Sequence, residues 1–128
     1  MENEFIPYEQ ALALKELGFN EPCFGLYAPP SKTVFLHHYG LLSAKEQILA
    51  PLYQQAFRWF REKYNLRGFI GFRPNVKQFD CHIYDMSLSG KEYTEQRTME
   101  EFNKDPKVGT YEEAELECLK KLISIVKQ

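Results

Sequence analysis

The sequence contains neither a long hydrophobic run nor a basic leader. Nowhere in its 128 residues are there about 18 consecutive apolar residues, the length a transmembrane helix requires. The first residues, Met1 to Glu4, include two glutamates and no basic residue, whereas a signal peptide starts with basic residues before an apolar segment. We therefore expect a cytoplasmic protein without membrane contact.

Cysteine and histidine are both scarce, with three residues of each. The odd number and wide spacing of the cysteines fit neither a disulfide framework nor the CxxC pairs of zinc sites, so buried thiols are expected. His37 and His38 are neighbours on a predicted strand and point to opposite faces. His37 could meet His82 across a sheet, but zinc would need further ligands. No metal site or cofactor is predicted.

Motifs that define a reaction are also missing. The sequence contains no GxxxxGK[ST], GxGxxG, HExxH or GxSxG segment. Cys81 is predicted to face the core, and a thiol without a positioned histidine base is inert. No catalytic residue is predicted, and the sequence favours a binding protein over an enzyme.

Composition indicates one folded domain that spans residues 1–128. Hydrophobic residues make up 44% and aromatic residues 15% of the chain, enough to form a substantial core. The formal net charge is −2, which gives no general attraction to nucleic acid or to an anionic membrane. Extended nucleic acid is therefore disfavoured as a partner.

Three segments predict helices. Residues 51–65, PLYQQAFRWFREKYN, place their aromatic residues on one side and their polar residues on the other, with Pro51 in the first turn and Asn65 or Gly68 at the end. An earlier helix includes Tyr8 and ends at Gly18. A third begins at residues 110–113, TYEE, which form a capping box.

Four short runs rich in aromatic and branched residues predict strands, paired as two hairpins. They are Cys23 to Ala28, Thr33 to Tyr39, Arg67 to Arg73 and Phe79 to Met86. Residues 40–50 read as a connection, and in residues 87–109 Tyr93-Thr94 could add an edge strand. The order α-β-β-α-β-β-α predicts an α+β fold: an antiparallel sheet of four to five strands with helices packed mainly on one face.

Alternation along these strands assigns the two faces of the sheet. The face toward the helices would carry Phe24, Leu26, Val34, Leu36, Ile70, Phe72, Cys81 and Ile83. The other face would carry Tyr27, Phe35, His37, Tyr39, Arg67, Phe69, Arg73, His82 and Tyr84. An open face this aromatic indicates a binding surface, for a second copy of the chain, for residues 87–109 or for a ligand.

Positive charge is concentrated between Arg58 and Lys77, a segment that contains six cationic side chains and one carboxylate. Aromatic residues alternate with these cations, and arginine with aromatic rings suits phosphate and bases. The predicted ligand is thus a small anion of nucleotide type. The predicted ligand-binding residues are Tyr27, His37, Arg67, Arg73, His82 and Tyr84, with Arg58 and Lys77 as peripheral charges.

Three blocks of the sequence carry a resemblance to a known group. They are FIPYEQALALKELGFNEPCFG, ILAPLYQQAFRWFREKYNL and TYEEAELECLKKLISIVKQ. They resemble recurring blocks of small proteins of unknown activity encoded by bacteriophages and prophages, notably of Bacteroidota. The resemblance implies a phage accessory protein that acts in the host cytoplasm during infection. It carries over no catalytic residue.

Three functions remain open on these grounds. The first is a non-enzymatic, homo-oligomeric binding protein that sequesters a nucleotide-type signal of host defence. The alternative is a protein-interaction module that docks on a host or phage protein through the same face. The third is a small hydrolase.

Overall fold

The computed structural model of the chain describes residues 4–28, 31–36, 48–75, 77–87, 91–92 and 110–127. Within these ranges the chain forms three α-helices and two antiparallel sheets, so the predicted α+β class is confirmed. The chain divides into two compact units, residues 1–55 and 56–128.

The first unit contains one helix and a three-stranded sheet. Its elements are α1 (Tyr8–Glu16), β1 (Gly25–Tyr27), β2 (Phe35–Leu36) and β3 (Ile48–Ala50). The strand order is β2-β1-β3 and both pairings are antiparallel. Helix α1 packs against β3. The fully buried side chains of this unit include Ile6 and Leu14.

The predicted end of α1 at Gly18 is confirmed. Gly18 has a φ of 98°, a left-handed conformation that glycine adopts without strain. Its N–H donates to the Lys15 carbonyl at 3.0 Å, and the Phe19 N–H donates to the Leu14 carbonyl at 2.9 Å. These two bonds form a Schellman motif, in which a hydrophobic residue commonly follows the glycine, and the Phe19 side chain is buried.

The predicted first hairpin is confirmed, but several predicted side-chain positions are wrong. Phe24 and Leu36, expected toward the helices, are 75% and 55% exposed. Tyr27, expected on the open face, is buried. Strands of two or three residues are too short for an alternating pattern to define their faces. Strand β3 was not predicted, because it pairs with β1 across more than 20 residues.

The second unit contains a three-stranded sheet and a long helix. Its elements are α2 (Tyr53–Tyr64), within which the boundary between the units falls, β4 (Leu66–Arg73), β5 (Gln78–Asp85), β6 (Lys91–Glu92) and α3 (Tyr111–Lys127). The strand order is β4-β5-β6. The two predicted hairpins therefore belong to separate sheets. The edge strand proposed at Tyr93-Thr94 lies outside the described residues, next to β6.

Helix α2 is amphipathic, as the sequence predicts. The buried side chains on its apolar side are Tyr53, Ala56, Phe57, Trp59 and Phe60. Asn65 ends the helix with a φ of 56° and donates its N–H to the Arg61 carbonyl at 3.1 Å. The predicted termination at Asn65 is confirmed.

Helix α3 starts at the predicted capping box. The Glu113 N–H donates to Thr110 Oγ1 at 3.1 Å, which satisfies one of the unpaired amides of the first turn. The expected return bond from Glu113 to the cap amide is replaced by a bond in which the Thr110 hydroxyl donates to Glu113 Oε1 at 3.0 Å. The buried side chains of α3 are Ala114, Cys118, Leu119, Leu122 and Ile123.

Candidate ligand-binding face

Helix α3 covers one side of the β4–β5 hairpin. A Cβ built on Gly68 would lie 2.9 Å from Cys118 Sγ and 3.1 Å from Leu122, and the Phe79 ring meets Tyr111 edge-on at 5.7 Å. The alternate residues of both strands therefore lie on the side away from α3. We call this side the aromatic face; its residues are Arg67, Phe69, Gly71, Arg73, Gln78, Asp80, His82 and Tyr84.

Three aromatic rings stack on the aromatic face. The register places Phe69 directly opposite His82, and their rings stack with centroids 5.1 Å apart at an interplanar angle of 16°. Phe69 also stacks on its diagonal neighbour Tyr84, at 5.6 Å and 4°. Cross-strand pairs of this kind stabilise a hairpin and present the rings as one rigid platform.

Arg67 adds a cation to this stack. It is exposed and lies directly opposite Tyr84 in the register. Its guanidinium carbon is 5.6 Å from the centroid of the Phe69 ring, within the range of a cation–π interaction. A planar anion at this end of the stack would find ring surface and a guanidinium together.

A buried carboxylate anchors the other end of the aromatic face. Asp80 is 6% exposed. Arg73 Nε donates to Asp80 Oδ2 at 2.6 Å, and His82 Nε2 lies 3.0 Å from Asp80 Oδ1. Because a carboxylate only accepts hydrogen bonds, the His82 nitrogen that faces it carries the proton. Asp80 thus compensates the charge of Arg73 and orients His82.

Gly71 makes room for this network. It lies directly opposite Asp80 in the register. A Cβ on Gly71 would be 2.7 Å from Asp80 Oδ1, closer than real Cβ atoms approach, and 3.0 Å from His82 Nε2, tighter than most real contacts. A residue without a side chain is therefore required for Asp80 and His82 to hold these positions.

Four of the predicted ligand-binding residues come together on the aromatic face: Arg67, Arg73, His82 and Tyr84. Tyr27 does not join them. It is buried in the first unit, where its hydroxyl donates to the Ile6 carbonyl at 2.8 Å and its ring meets Tyr8 edge-on.

The other predicted residues lie elsewhere. Arg58 is exposed on α2, 4.0 Å from Glu62 one turn later. Lys77 is exposed in the turn between β4 and β5 with a φ of 53°. His37 lies outside the described residues.

Asp80 and Gly71 are residues of the candidate site that the sequence reasoning missed. Their signal was present in the alternation of β5, because Asp80, His82 and Tyr84 occupy every second position. Glycine opposite an acidic residue would have pointed to the close approach that the structure shows.

Two buried thiols lie on the α3 side of the hairpin. Cys81 and Cys118 are free cysteines, at most 2% exposed. Hydrogen bonding to Cys81, followed by burial, raises the pKa of Cys118 well above its ordinary value. The Cys118 thiol is therefore protonated at neutral pH, and both cysteines are buried packing residues.

The described residues offer neither a metal site nor a membrane-spanning helix. They contain no group of three or more His, Cys, Asp or Glu side chains arranged to hold a metal ion. Nor does any helix among them combine the length and apolar character needed to cross a membrane.

No protein family model, curated protein or solved structure matches the chain. The resemblance to phage-encoded proteins therefore stays a prediction, and the aromatic face is the feature of the structure that bears on function.

Proposed function

We propose that the protein is a non-enzymatic binding protein whose aromatic face holds a small planar anion, with a nucleotide as the best-fitting class. The observation that carries the proposal is the position of the Arg67 guanidinium over the ring of Phe69, which stacks in turn with Tyr84 and His82. A base can stack against such rings while the guanidinium forms bidentate hydrogen bonds with phosphate oxygens.

The two arginines of the face have different roles in this proposal. Asp80 lies at hydrogen-bond distance from Arg73 and compensates its charge. Arg67 is exposed and provides the main attraction for phosphate. His82, held by Asp80, contributes ring surface and a fixed edge.

The proposed biological role is sequestration of the ligand. The resemblance of three sequence blocks to phage-encoded proteins supports a nucleotide signal of host defence as the ligand, captured in the host cytoplasm. A binding protein needs no catalytic group for this task, since binding alone removes the ligand from solution.

The test begins with native mass spectrometry of the protein as purified, followed by denaturation to release any bound small molecule. The purified chain is then titrated with AMP, adenosine and inorganic phosphate while its thermal unfolding is followed. We expect AMP to raise Tm more than adenosine or phosphate, because only AMP engages both rings and guanidinium. The stabilisation follows RT ln(1 + [L]/Kd).

Two matched variants locate the site. Arg67→Ala removes an exposed cation from the aromatic face, and Lys120→Ala removes an exposed cation from α3 on the other side of the hairpin. We expect AMP stabilisation to be lost in the first variant and retained in the second. An equal response of both variants, or no ligand and no AMP effect in the unmodified protein, would overturn the proposal.

A protein-interaction module is the second candidate, supported by a different surface. In the first unit Phe24, Phe35 and Leu36 are 75%, 49% and 55% exposed. Exposed aromatic and aliphatic side chains in one hairpin are typical of docking surfaces. In that case AMP has no effect, and Phe35→Asp abolishes binding to a purified partner protein while Arg67→Ala does not.

A further inference from the structure

Strand β4 is a long edge strand. Within the described part of the chain it has β5 on one side and no strand on the other. It runs for eight residues without proline, and its charged side chains, Arg67 and Arg73, lie near its two ends. Edge strands of this length are usually shortened, charged or covered, because their unpaired backbone groups are templates for another strand.

One hydrogen bond shows which residues of β4 direct their backbone N–H and C=O groups away from β5. The Met86 N–H donates to the Asn65 carbonyl at 2.9 Å, which makes this a hydrogen-bonded pair adjoining the first pair of the ladder, Leu66 and Asp85. Hydrogen-bonded and non-hydrogen-bonded pairs alternate in an antiparallel ladder. The N–H and C=O groups directed away from β5 therefore belong to the even-numbered residues, Leu66, Gly68, Ile70 and Phe72.

The sequence of this edge is complementary to itself. Residues 67–73 read R-G-F-I-G-F-R. If a second copy of the strand is laid antiparallel with Ile70 opposite Ile70, Gly68 faces Phe72 and Phe69 faces Gly71. Each glycine of one copy then meets a phenylalanine of the other, on both faces of the sheet. Large side chains opposite glycine are favourable cross-strand pairs.

We propose that β4 pairs with β4 of a second copy of this chain about a two-fold axis at Ile70. The two β4–β5–β6 sheets then form one continuous sheet of six strands. The outward groups of Gly68, Ile70 and Phe72 all find partners in this register, since Ile70 pairs with its symmetry mate and Gly68 pairs with Phe72. The proposal stands whether or not the aromatic face binds an anion.

The side chains around the edge fit this partner. Phe72 is 53% exposed. In the paired register its ring lies next to Gly68 of the second copy. The apolar side chain of Leu122 in that copy packs against the same glycine. Arg67 faces Arg73 of the second copy, and the Asp80 carboxylate beside Arg73 offsets the repulsion between them. Phe69 of each copy extends the aromatic face of the other.

The decisive measurement is amide hydrogen exchange, residue by residue, by NMR at low and high protein concentration. In the dimer the amides of Gly68, Ile70 and Phe72 are hydrogen-bonded to the second copy. We expect them to exchange at least about tenfold more slowly at high concentration. The amides of Phe69 and Gly71 face β5 and should be protected at both concentrations.

A matched pair of variants supplies the second measurement, the mass in solution by analytical ultracentrifugation. Phe72→Lys places a charge on the β4 edge, a common means of blocking strand addition. Phe24→Lys makes the same change at an exposed phenylalanine of the first unit. We expect the unmodified protein and Phe24→Lys to be dimers and Phe72→Lys to be a monomer with an intact circular dichroism spectrum.

Three outcomes would overturn the proposal. One is a monomer at every concentration with rapid exchange at Gly68, Ile70 and Phe72. Another is protection of these amides that does not change with concentration, which would mean that the chain covers its own edge. The third is a dimer that survives Phe72→Lys and dissociates with Phe24→Lys, which would locate the interface in the first unit.

Discussion

Gly71 controls the geometry of the aromatic face through what it lacks. An added Cβ would lie 2.7 Å from Asp80 Oδ1, so either the carboxylate or the strand must move. We expect Gly71→Ala to lower the free energy of unfolding by about 1–3 kcal/mol, since the network of Arg73, Asp80 and His82 is strained or broken. Urea denaturation measures this difference.

A double-mutant cycle isolates the cause. In an Asp80→Ala background the colliding oxygen is absent, and Gly71→Ala should cost much less there than in the unmodified protein. An equal cost in both backgrounds would show that the added methyl group acts on the strand itself and that the collision with Asp80 is unimportant.

The buried thiol of Cys118 makes the free energy of unfolding fall as the pH rises into the alkaline range. Hydrogen bonding to Cys81 and burial hold the pKa of Cys118 well above its ordinary value. The folded chain therefore keeps this proton at a pH where the unfolded chain, with a thiol pKa of about 8.5, loses it. Stability is fully present below that pH and declines above it, with a slope of up to about 1.4 kcal/mol per pH unit for one thiol.

Urea denaturation at several pH values from 7 to 10, with a reductant present, measures this slope. Burial, then the charge of Glu21, raises the pKa of Cys23 to about 12, so this half-buried thiol adds a smaller decline of the same sign. Cys118→Ala should reduce the slope while Cys23→Ser reduces it less. The same slope in Cys118→Ala and the unmodified protein would contradict the assignment.

Individual residues of the site were predictable where alternation within one hairpin determines their position. Arg67, His82 and Tyr84 lie together because the turn after Arg73 sets the register of β4 against β5. The burial of Asp80 was not predictable in this way. A pattern of apolar positions contains no information about a carboxylate that becomes buried through its partners.

At the level of elements, the end of α1 depends on one backbone conformation. Gly18 has a φ of 98°, which costs a residue with a Cβ about 1–2 kcal/mol. We expect Gly18→Ala to lower the free energy of unfolding by about this amount. Gly18→Asn should cost less, because asparagine tolerates the left-handed region better.

Thermal and urea denaturation of both variants check this expectation. Asn65→Ala is a comparison at the end of α2, where asparagine already occupies the left-handed region with a φ of 56°. It should also be destabilising. If Gly18→Ala and Gly18→Asn cost the same, the left-handed conformation is not the source of the effect.

Helix ends were predictable because their hydrogen bonds are local. The bonds at Gly18, Asn65 and Thr110 each join residues at most five positions apart, so the residues responsible lie within one short segment. Strand β3 illustrates the opposite case. Its partner β1 is more than 20 residues away, and three residues, Ile48 to Ala50, contain too little pattern to indicate a strand.

At the level of the whole molecule, the division of the strands between two sheets was not predictable. Each hairpin has its own local pattern, but no local pattern states which hairpins pair with each other. The expectation of one sheet placed Tyr27 and His37 beside Arg67. In the structure β1 and β4 belong to separate sheets, so the candidate site consists of residues of the β4–β5 hairpin alone.

Asn65 joins α2 to β4 with no intervening loop. Its N–H bonds to Arg61 in the last turn of the helix, and its carbonyl accepts from Met86 where the hairpin closes. Asn65 thus makes the last hydrogen bond of helix α2 and the closing hydrogen bond of the β4–β5 hairpin. Fraying of that helical turn would displace Asn65 and weaken the closing bond of the hairpin, so we expect opening at the two places to be coupled.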